Sequence, residues 1–279
     1  MKDVSIKTQD GWTLAGLLFE PQGRVDDVIV LNGATGVPRN FYKSFAKWCA
    51  DERQSVCLIY DYRDCGASTI NAVKDSDVDM FDWAVKDQQA AIQFAIEIFP
   101  KHKITLIGHS LGGMFLQYQS ARFGDKIKRA ITVASGSGYW LQHPLWYIPV
   151  VTMFWWLVGP LSTMVLGYTP GKALGFGSDL PAGVYWQWRR WCTTHKFYDV
   201  DRPEHIPVCT EKIVFPVSML TFSDDQMIPR KAVAFLQNFY DSPDVSVTSL
   251  EPKSFGLQKV GHIHSFAKRN KAAWPAFFK

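Results

Sequence analysis

Residues 104–113 constrain the fold of this chain more than any other stretch of its sequence. A short run rich in β-branched residues leads to Gly108, and Gly-x-Ser-x-Gly follows at once with Ser110 at its centre. From 114 to 123 apolar residues return at helical spacing. A strand, a sharp turn and a helix in this order predict a nucleophile elbow, in which a strained backbone lifts the serine hydroxyl clear of the sheet.

The glycines of this turn are explained by crowding. A side chain at Gly108 or Gly112 would collide across a tight turn, and Gly113 lets the helix lie close to the strand. Gly-x-Ser-x-Gly alone is a weak signal, because it arises by chance in roughly one chain in ten of this size. Its position between a predicted strand and a predicted helix is what makes Ser110 a candidate nucleophile.

Strands and helices alternate along the rest of the chain. Two segments of alternating polarity flank Asp10-Gly11, a strong turn signal, and predict an antiparallel hairpin. The later pattern favours a mostly parallel sheet with helices on both faces, in one α/β domain over residues 1–279. Strands are predicted at 4–8, 13–19, 27–31, 56–60, 104–107, 129–134, 213–222 (with a proline break at Pro216) and 245–250, and helices at 40–51, 81–99, 114–123, 229–238 and 264–278.

Composition and charge exclude some classes of protein. Hydrophobic residues make up 47% of the chain and charged residues 20%, which is typical of a folded soluble protein. The net charge of +4 is mild and its residues are scattered apart from a basic cluster at 268–271, so no nucleic-acid partner is predicted. The five cysteines form no Cys-x-x-Cys pair, and the N-terminus has no apolar signal segment. A reducing, cytoplasmic location is therefore expected.

Polar residues of a catalytic kind follow several predicted strands. Ser110 follows one, Asp224 and Asp225 follow another, and His262 and His264 follow the last. Since the carboxyl ends of parallel strands meet at one edge of a sheet, these side chains are expected to converge. A serine hydroxyl needs a base to take its proton, and a buried carboxylate fixes the tautomer of a histidine base. The order Ser, Asp, His along the chain is the order found in α/β-hydrolases.

On these residues the chain resembles the α/β-hydrolase superfamily over essentially its full length. More narrowly, it resembles poorly characterised bacterial hydrolases of the serine-esterase and lipase type. The resemblance implies the α/β-hydrolase fold with a helical cap insertion. It rests on Gly108-His-Ser-Leu-Gly112-Gly113, Asn32-Gly-Ala-Thr-Gly36, Asp61-Tyr-Arg63 with Gly66 and Ser68, Asp225-x-x-x-Pro229 and Gly261-His262.

The resemblance also implies a role for each candidate residue. Ser110 would be the nucleophile, His262 the base and Asp225 the acid that orients it. The backbone N–H groups of Leu111 and Ala34 would form the oxyanion hole. Such an enzyme needs no cofactor and no metal.

Two of these assignments have a neighbouring competitor. Asp224 stays open beside Asp225, which its spacing to the following proline favours. His264 stays open beside His262, which the preceding glycine favours. The His-x-His pair is also a possible metal site, but no third ligand of suitable spacing accompanies it.

Three residues of this pattern are expected to have no direct catalytic role. Asn32 stands where family members commonly have histidine, and the change should be tolerated because the oxyanion hole uses backbone donors. Asp64 replaces a glycine that usually follows the Asp-x-Arg stretch. His109 is expected to be a packed neighbour, since its side chain leaves the turn on the opposite side from Ser110.

An uncharged segment interrupts the α/β pattern. Residues 136–171 contain no Asp, Glu, Lys or Arg, and an apolar run of this length is a candidate for a membrane span. A single crossing would put Ser110 and His262 on opposite sides of the bilayer, whereas a hydrogen bond needs them within about 3 Å. Pro144, Pro149 and Pro160 are also expected to divide the run into pieces too short to span. No transmembrane span is therefore predicted.

Residues 136–210 are instead predicted to form a cap over the active site, at the position where this superfamily inserts its lid. Its second half would include Trp186, Trp188 and Trp191, with Arg189 and Arg190. A roof so rich in Trp, Phe and Leu predicts a small-molecule substrate with an apolar acyl or aromatic group. A membrane surface or a second subunit is a further expected contact for exposed parts of the cap.

The sequence therefore predicts a serine hydrolase that cleaves a carboxylic ester through an acyl-enzyme. An acyltransferase, thioesterase or amidase that uses the same acyl-enzyme is the first alternative. A non-catalytic binding protein on the same scaffold is the second, because a fold does not fix a function.

Overall fold

A computed structural model describes residues 1–175, 177–200, 212–240, 242 and 244–279, and an eight-stranded sheet lies at its centre. The strands are β1 (Lys2–Lys7), β2 (Thr13–Phe19), β3 (Asp27–Asn32), β4 (Ser55–Tyr60), β5 (Ile104–His109), β6 (Ile127–Val133), β9 (Val217–Phe222) and β10 (Val245–Leu250), with a separate short pair β7 (Tyr168–Thr169) and β8 (Leu180–Pro181). The order across the sheet is β1-β2-β4-β3-β5-β6-β9-β10. The predicted hairpin is confirmed as β1 and β2, and all neighbours from β4 to β10 are parallel.

Helices connect these strands and cover both faces of the sheet. Within β3 and β4, every residue is buried, as a strand covered on both sides requires. Val28 and Val30 pack into one hydrophobic cluster, whereas the alternate residues Ile29 and Leu31 pack into another. The helices are α1 (Lys43–Arg53), α2 (Gln88–Ile98), α3 (Leu116–Phe123), α4 (Ile148–Met153), α5 (Gly159–Leu166), α6 (Ala182–Thr193) and α7 (Arg230–Phe239).

Asp79 caps the helical segment that leads into α2. Its carboxylate accepts the N–H of Asp82 at 3.0 Å, and the Asp82 carboxylate accepts the N–H of Asp79 at 3.1 Å. This reciprocal pair satisfies two N–H groups that the first turn of a helix leaves without partners. A π turn, Asp82–Asp87, then precedes α2.

Two predicted elements differ from the observed ones. The strand predicted at 213–222 begins only at Val217, because Pro216 has no N–H to contribute to a ladder. The helix predicted at 264–278 is a series of 3-10 turns, Ile263–Phe266 and Lys268–Phe278, with a kink at Asn270. Pro275 lies inside the second segment and cannot donate an α-helical hydrogen bond.

The prediction that prolines divide the uncharged run was wrong. A π turn, Phe154–Val158, joins α4 to α5, so that one helix, which we call the long helix, runs from Ile148 to Leu166. Pro149 lies in its first turn, where its missing N–H is not needed. Pro160 lies two residues after the π turn, a wide turn of the kind that accommodates a missing N–H inside a helix.

The aspartate of the Asp-x-Arg motif has a structural role in the loop after β4. The Asp61 carboxylate accepts the backbone N–H groups of Arg39 at 2.6 Å and Ala67 at 3.0 Å. A Cβ at Gly66 would lie 2.6 Å from that carboxylate, so only glycine fits there. Asp64 has a φ of +50°, the left-handed conformation that explains why glycine is usual at this position and why aspartate replaces it with little strain.

One prediction falls partly on residues that the structure does not describe. The end of the predicted cap near 210 and the fifth cysteine, Cys209, lie between 201 and 211, outside the described residues. The described cysteines, Cys49, Cys57 and Cys65 together with Cys192, are buried free thiols.

Candidate active site

The turn between β5 and α3 holds Ser110 in a strained conformation. Ser110 has a φ of +53°, which non-glycine residues rarely adopt. A Cβ at Gly108 would lie 2.4 Å from the backbone of Gly113, and a Cβ at Gly112 would lie 2.1 Å from the carbonyl oxygen of Asn32. The Ser135 hydroxyl also donates to the Ser110 carbonyl at 2.7 Å. The close packing of the backbone therefore fixes the direction in which the serine hydroxyl projects.

His262 links Ser110 to Asp225. Its Nε2 lies 3.0 Å from the Ser110 Oγ, and its Nδ1 lies 2.9 Å from an Asp225 carboxylate oxygen. The Asp225 side chain is fully buried and that of His262 is 7% exposed. The other Asp225 oxygen accepts the N–H groups of Met227 and Ile228 at 2.8 and 3.0 Å, which fixes the carboxylate in place. The structure therefore brings together the three side chains that the sequence singled out.

Asp224 and His264, the alternatives to Asp225 and His262, do not take part in these hydrogen bonds. The Asp224 carboxylate accepts the N–H groups of Val260 and Gly261, at 2.8 and 3.1 Å, and so holds the loop that carries His262. His264 is exposed. Among the described residues, no group of three or more His, Cys, Asp or Glu side chains could hold a metal ion.

A second chain of buried hydrogen bonds, which sequence reasoning missed, runs behind the site. The Ala34 N–H donates to the Tyr42 hydroxyl at 2.8 Å, and that hydroxyl lies 2.8 Å from His109 Nδ1. His109 Nε2 lies 3.1 Å from the carbonyl oxygen of His262. A carbonyl can only accept, so Nε2 carries the proton, Nδ1 is the acceptor and Tyr42 donates to it.

The protonation states agree with these directions. Burial lowers the pKa of His109 to about 3, so the ring is neutral near pH 7. Burial also raises the pKa of the Tyr42 hydroxyl far above neutrality, so it keeps the proton that it donates. His109 is thus packed away from the pocket, as its place in the turn predicted, and it also ties the backbone of His262 to the loop after β3.

One predicted oxyanion donor needs correction. The Ala34 N–H was expected to face the substrate, but in this structure it donates to Tyr42. The next residue, Thr35, lines the pocket, and its N–H has no hydrogen-bond acceptor among the described residues. Leu111, the other predicted donor, lines the pocket directly after Ser110.

A cavity of about 440 Å³ opens beside Ser110 and His262. This volume falls in the range of small-molecule sites. Its roof comes from the long helix and α6, and its floor from the elbow and from the loops after β3, β6 and β9. Among the described residues, Lys and Arg side chains do not line it, and most of its wall is apolar: Leu111, Met114, Val150, Val151, Met153, Phe154, Trp155, Val158, Leu174, Trp188, Met227, Ile228 and Ile263.

The tryptophans predicted for the second half of the cap have three different environments. Trp188 lines the cavity, Trp191 is buried in the main core and Trp186 packs against a small cluster in the cap. Of the two arginines, Arg189 donates from Nε to the Trp155 carbonyl at 2.6 Å and so ties α6 to the long helix. Only part of the aromatic content of the cap therefore faces the site.

Comparison with known proteins agrees with this fold. A sequence profile for the α/β hydrolase fold matches residues 27–157. A search of curated protein sequences finds no match. Solved structures resemble this one over nearly its whole length at low identity, which supports a common fold.

Three of these structures illustrate the resemblance. A thermophilic esterase from Thermogutta terrifontis is 14% identical, with a TM-score of 0.60, and the match covers 100% of this chain and 97% of that one. The α/β hydrolase GrgF from Penicillium sp. sh18 is 19% identical, with a TM-score of 0.61 over 99% and 96% of the two chains. An esterase from Pyrococcus furiosus is 14% identical, with a TM-score of 0.55 over 98% and 89%.

Proposed function

We propose that this chain, which has the α/β-hydrolase fold, is a serine hydrolase that cleaves carboxylic esters with an apolar acyl or aromatic group. One observation carries the proposal. A serine hydroxyl in a strained elbow lies 3.0 Å from a histidine that is itself 2.9 Å from a buried carboxylate, at the wall of an apolar cavity.

Acylation begins at Ser110. His262 Nε2 takes the hydroxyl proton as Oγ attacks the ester carbonyl, and Asp225 stabilises the imidazolium that forms. We assign the N–H groups of Leu111 and Thr35 as the donors to the resulting oxyanion. When the tetrahedral intermediate collapses, the C–O bond to the leaving group breaks, and His262 returns its proton to the departing alkoxide.

Deacylation repeats the same steps with water. His262 removes a proton from a water molecule, which attacks the acyl carbonyl on Ser110. The Ser110 C–O bond then breaks, the carboxylic acid leaves and the proton returns to Oγ. These steps balance without a metal or an organic cofactor.

The cavity favours an apolar acyl or aromatic group. Its wall offers extensive apolar surface to a substrate, and the part of the wall that the structure describes has no Lys or Arg side chain to pair with a charged one. Burying each methylene contributes about 0.8 kcal/mol, so two buried methylenes are enough for roughly a tenfold preference. Esters with longer acyl groups should therefore be better substrates than acetates.

The test compares two serines of the same cavity. Ser110→Ala should lower kcat for 4-nitrophenyl esters by about a thousandfold or more, because the nucleophile is lost. Ser137 also lines the cavity, so Ser137→Ala is a matched loss of a hydroxyl and should keep kcat within about tenfold of the wild type. Hydrolysis that survives Ser110→Ala would contradict the proposal, and product analysis with an added alcohol separates hydrolysis from acyl transfer.

A further inference from the structure

Most exposed large apolar side chains of the described residues lie between residues 141 and 166. On the long helix, Ile148–Leu166, they recur at helical spacing on one side. We call this side, with Trp146 just before it, the outer face. It consists of Trp146, Val150, Met153, Leu157, Leu161, Met164 and Val165, whose exposed fractions lie between 47% and 81%.

The long helix is apolar all round. Its inner side lines the cavity through Val151, Phe154, Trp155 and Val158. A helix of this kind normally lies in a protein core or in a membrane. The long helix has a mean hydropathy of 1.5 over an 18-residue window of which only 17% is buried, so the core does not account for its outer face.

We propose that the outer face docks onto the surface of an anionic lipid bilayer, with the long helix lying in the plane of the membrane. Helices that bind in this way bury apolar and aromatic side chains among the lipid headgroups and keep basic residues beside them. The outer face has the apolar side chains and an exposed tryptophan, and the basic residue Arg189 lies against the long helix.

The cap carries a small net positive charge. Residues 136–210 contain five basic and four acidic residues, and residues 136–200 contain four basic residues and two acidic ones, Asp179 and Asp199. The Asp179 carboxylate lies 3.5 Å from the ammonium of Lys172. Arg189 lies against the long helix, with its guanidinium 5.8 Å from the centre of the Trp156 ring. Arg189 and the net charge of +4 on the whole chain therefore favour anionic headgroups, which attract basic residues near the membrane surface.

The sheet favours surface docking over a crossing. The long helix lies between β6 and β9 in sequence, and these strands pair directly, with Ala130 opposite Val217. A single crossing would separate the two strands. Among the described residues, the long helix is the one segment whose length and composition suit a span, so no second span is available there to return the chain.

Lipid also fits the outer face better than a second protein copy. Protein interfaces carry about one hydrogen bond per 100–200 Å². The outer face is a row of apolar side chains that can form few such bonds. In addition, Val150 and Met153 both belong to the outer face and line the cavity, so the cavity wall is continuous with the docking surface. An apolar ester dissolved in the bilayer would reach Ser110 without crossing water.

Vesicle flotation tests the proposal with two matched triple variants. One carries Leu157→Glu, Leu161→Glu and Val165→Glu on the outer face, at positions that do not line the cavity. The other carries Ile70→Glu, Ile98→Glu and Val214→Glu, at exposed apolar positions elsewhere. Each set of three glutamates lowers the formal net charge from +4 to +1, so the two variants differ only in where the charges lie.

The wild type should float with phosphatidylcholine–phosphatidylglycerol vesicles and bind several-fold less to phosphatidylcholine alone. The outer-face variant should lose about tenfold or more of the binding, because three apolar side chains no longer enter the lipid. The second variant should stay within about threefold of the wild type. Circular dichroism and hydrolysis of a short soluble ester check the fold. Val165→Glu alone, at a side chain that is 81% exposed, repeats the test with minimal risk to folding.

Three results would overturn the proposal. The wild type could fail to bind mixed vesicles, the two triple variants could bind equally well, or the wild type could form a dimer through the outer face without binding vesicles. The last result would assign the face to a second copy of the chain. Because binding is measured without an ester, its failure is distinguishable from a failure of the proposed hydrolase activity.

Discussion

The Ala34 N–H donates a hydrogen bond to the Tyr42 hydroxyl at 2.8 Å, and through His109 this bond continues to the carbonyl of His262. The loop that flanks the reaction centre and the backbone of the proposed base are therefore held by one buried chain of hydrogen bonds. Among the described residues, Tyr42 and His109 are not part of the cavity wall, and their side chains are hydrogen-bonded to each other and to the backbone and not to the Ser110 hydroxyl. We expect them to position the site.

Tyr42→Phe should lower kcat by about tenfold with little change in KM, because it removes both hydrogen bonds of the Tyr42 hydroxyl, to Ala34 and to His109. His109→Gln should have a similar effect, because it removes the ring nitrogen that accepts the Tyr42 hydroxyl. The fold loss of kcat in the double variant should be smaller than the product of the two single losses, since both substitutions interrupt the same connection. Steady-state kinetics on a 4-nitrophenyl ester measures all three.

Tyr198→Phe is the matched control. It removes a buried hydroxyl that donates to Gln117 at 2.8 Å, away from the site, and should leave kcat within about twofold of the wild type. Equal losses of kcat in Tyr42→Phe and Tyr198→Phe would mean that the loss reflects general destabilisation and not positioning.

The two adjacent aspartates should give different losses. Asp225→Asn should lower kcat by about 10⁴-fold, because the amide no longer fixes the proton-accepting tautomer of His262. Asp224→Asn should cost less than about tenfold in kcat and about 1 kcal/mol in the free energy of unfolding, since it weakens hydrogen bonds to the backbone of the histidine loop. Kinetics and urea unfolding of both variants measure this. A larger kcat loss in Asp224→Asn than in Asp225→Asn would reverse the assignment.

His109 should make stability depend on pH below neutrality. Burial lowers its pKa from 6.5 to about 3 in the folded protein, so between these values the unfolded state binds the extra proton. The free energy of unfolding is therefore greatest above pH 6.5 and falls as the pH drops, by up to about 1.4 kcal/mol per pH unit from this residue.

His109→Gln removes this titration and keeps an N–H donor for the His262 carbonyl. Urea unfolding at neutral pH and about two units lower should show a smaller pH dependence in the variant than in the wild type. Equal pH dependences of the free energy of unfolding in the wild type and the variant would mean that folding does not lower the pKa of His109. His109 would then take up a proton in the folded state as well, contrary to the neutral tautomer assigned to it.

The cavity should reject a charged acyl group of matched length. Transfer of a carboxylate into an apolar wall without a cationic partner costs several kcal/mol. We therefore expect kcat/KM for the 4-nitrophenyl monoester of succinic acid to be at least about a hundredfold below that for 4-nitrophenyl butyrate. Comparable values for the two esters would contradict the apolar description of the acyl site.

The sequence predicted most of the fold because the relevant signals are local. The hairpin at Asp10-Gly11, the buried strands and the elbow around Ser110 each follow from turn chemistry and from the spacing of apolar residues. The convergence of Ser110, Asp225 and His262 was also predictable, because parallel strands place their following loops at one edge. The extent of the long helix was not, because a π turn before Pro160 has no known signal in a single sequence.

The parts of the site that the sequence missed depend on contacts between distant residues. Tyr42 is an ordinary helical aromatic in the sequence, and only the packing of the 3-10 turn Arg39–Tyr42, which precedes α1, against the loop after β3 brings its hydroxyl to Ala34. Asp224 and Asp225 are adjacent, so the choice between them depends on which carboxylate faces His262. The pairing of Ala34 with Tyr42, and hence the choice of Thr35 as an oxyanion donor, follows from the same packing.

Covalent labelling tests the central claim most directly. A fluorophosphonate probe should add one equivalent to the wild type, and peptide mass mapping should locate the adduct on Ser110. Ser110→Ala should remain folded and unlabelled, and His262→Ala should label at least about a hundredfold more slowly because the proton acceptor is missing. Labelling that persists in Ser110→Ala, or an adduct on another residue, would contradict the account.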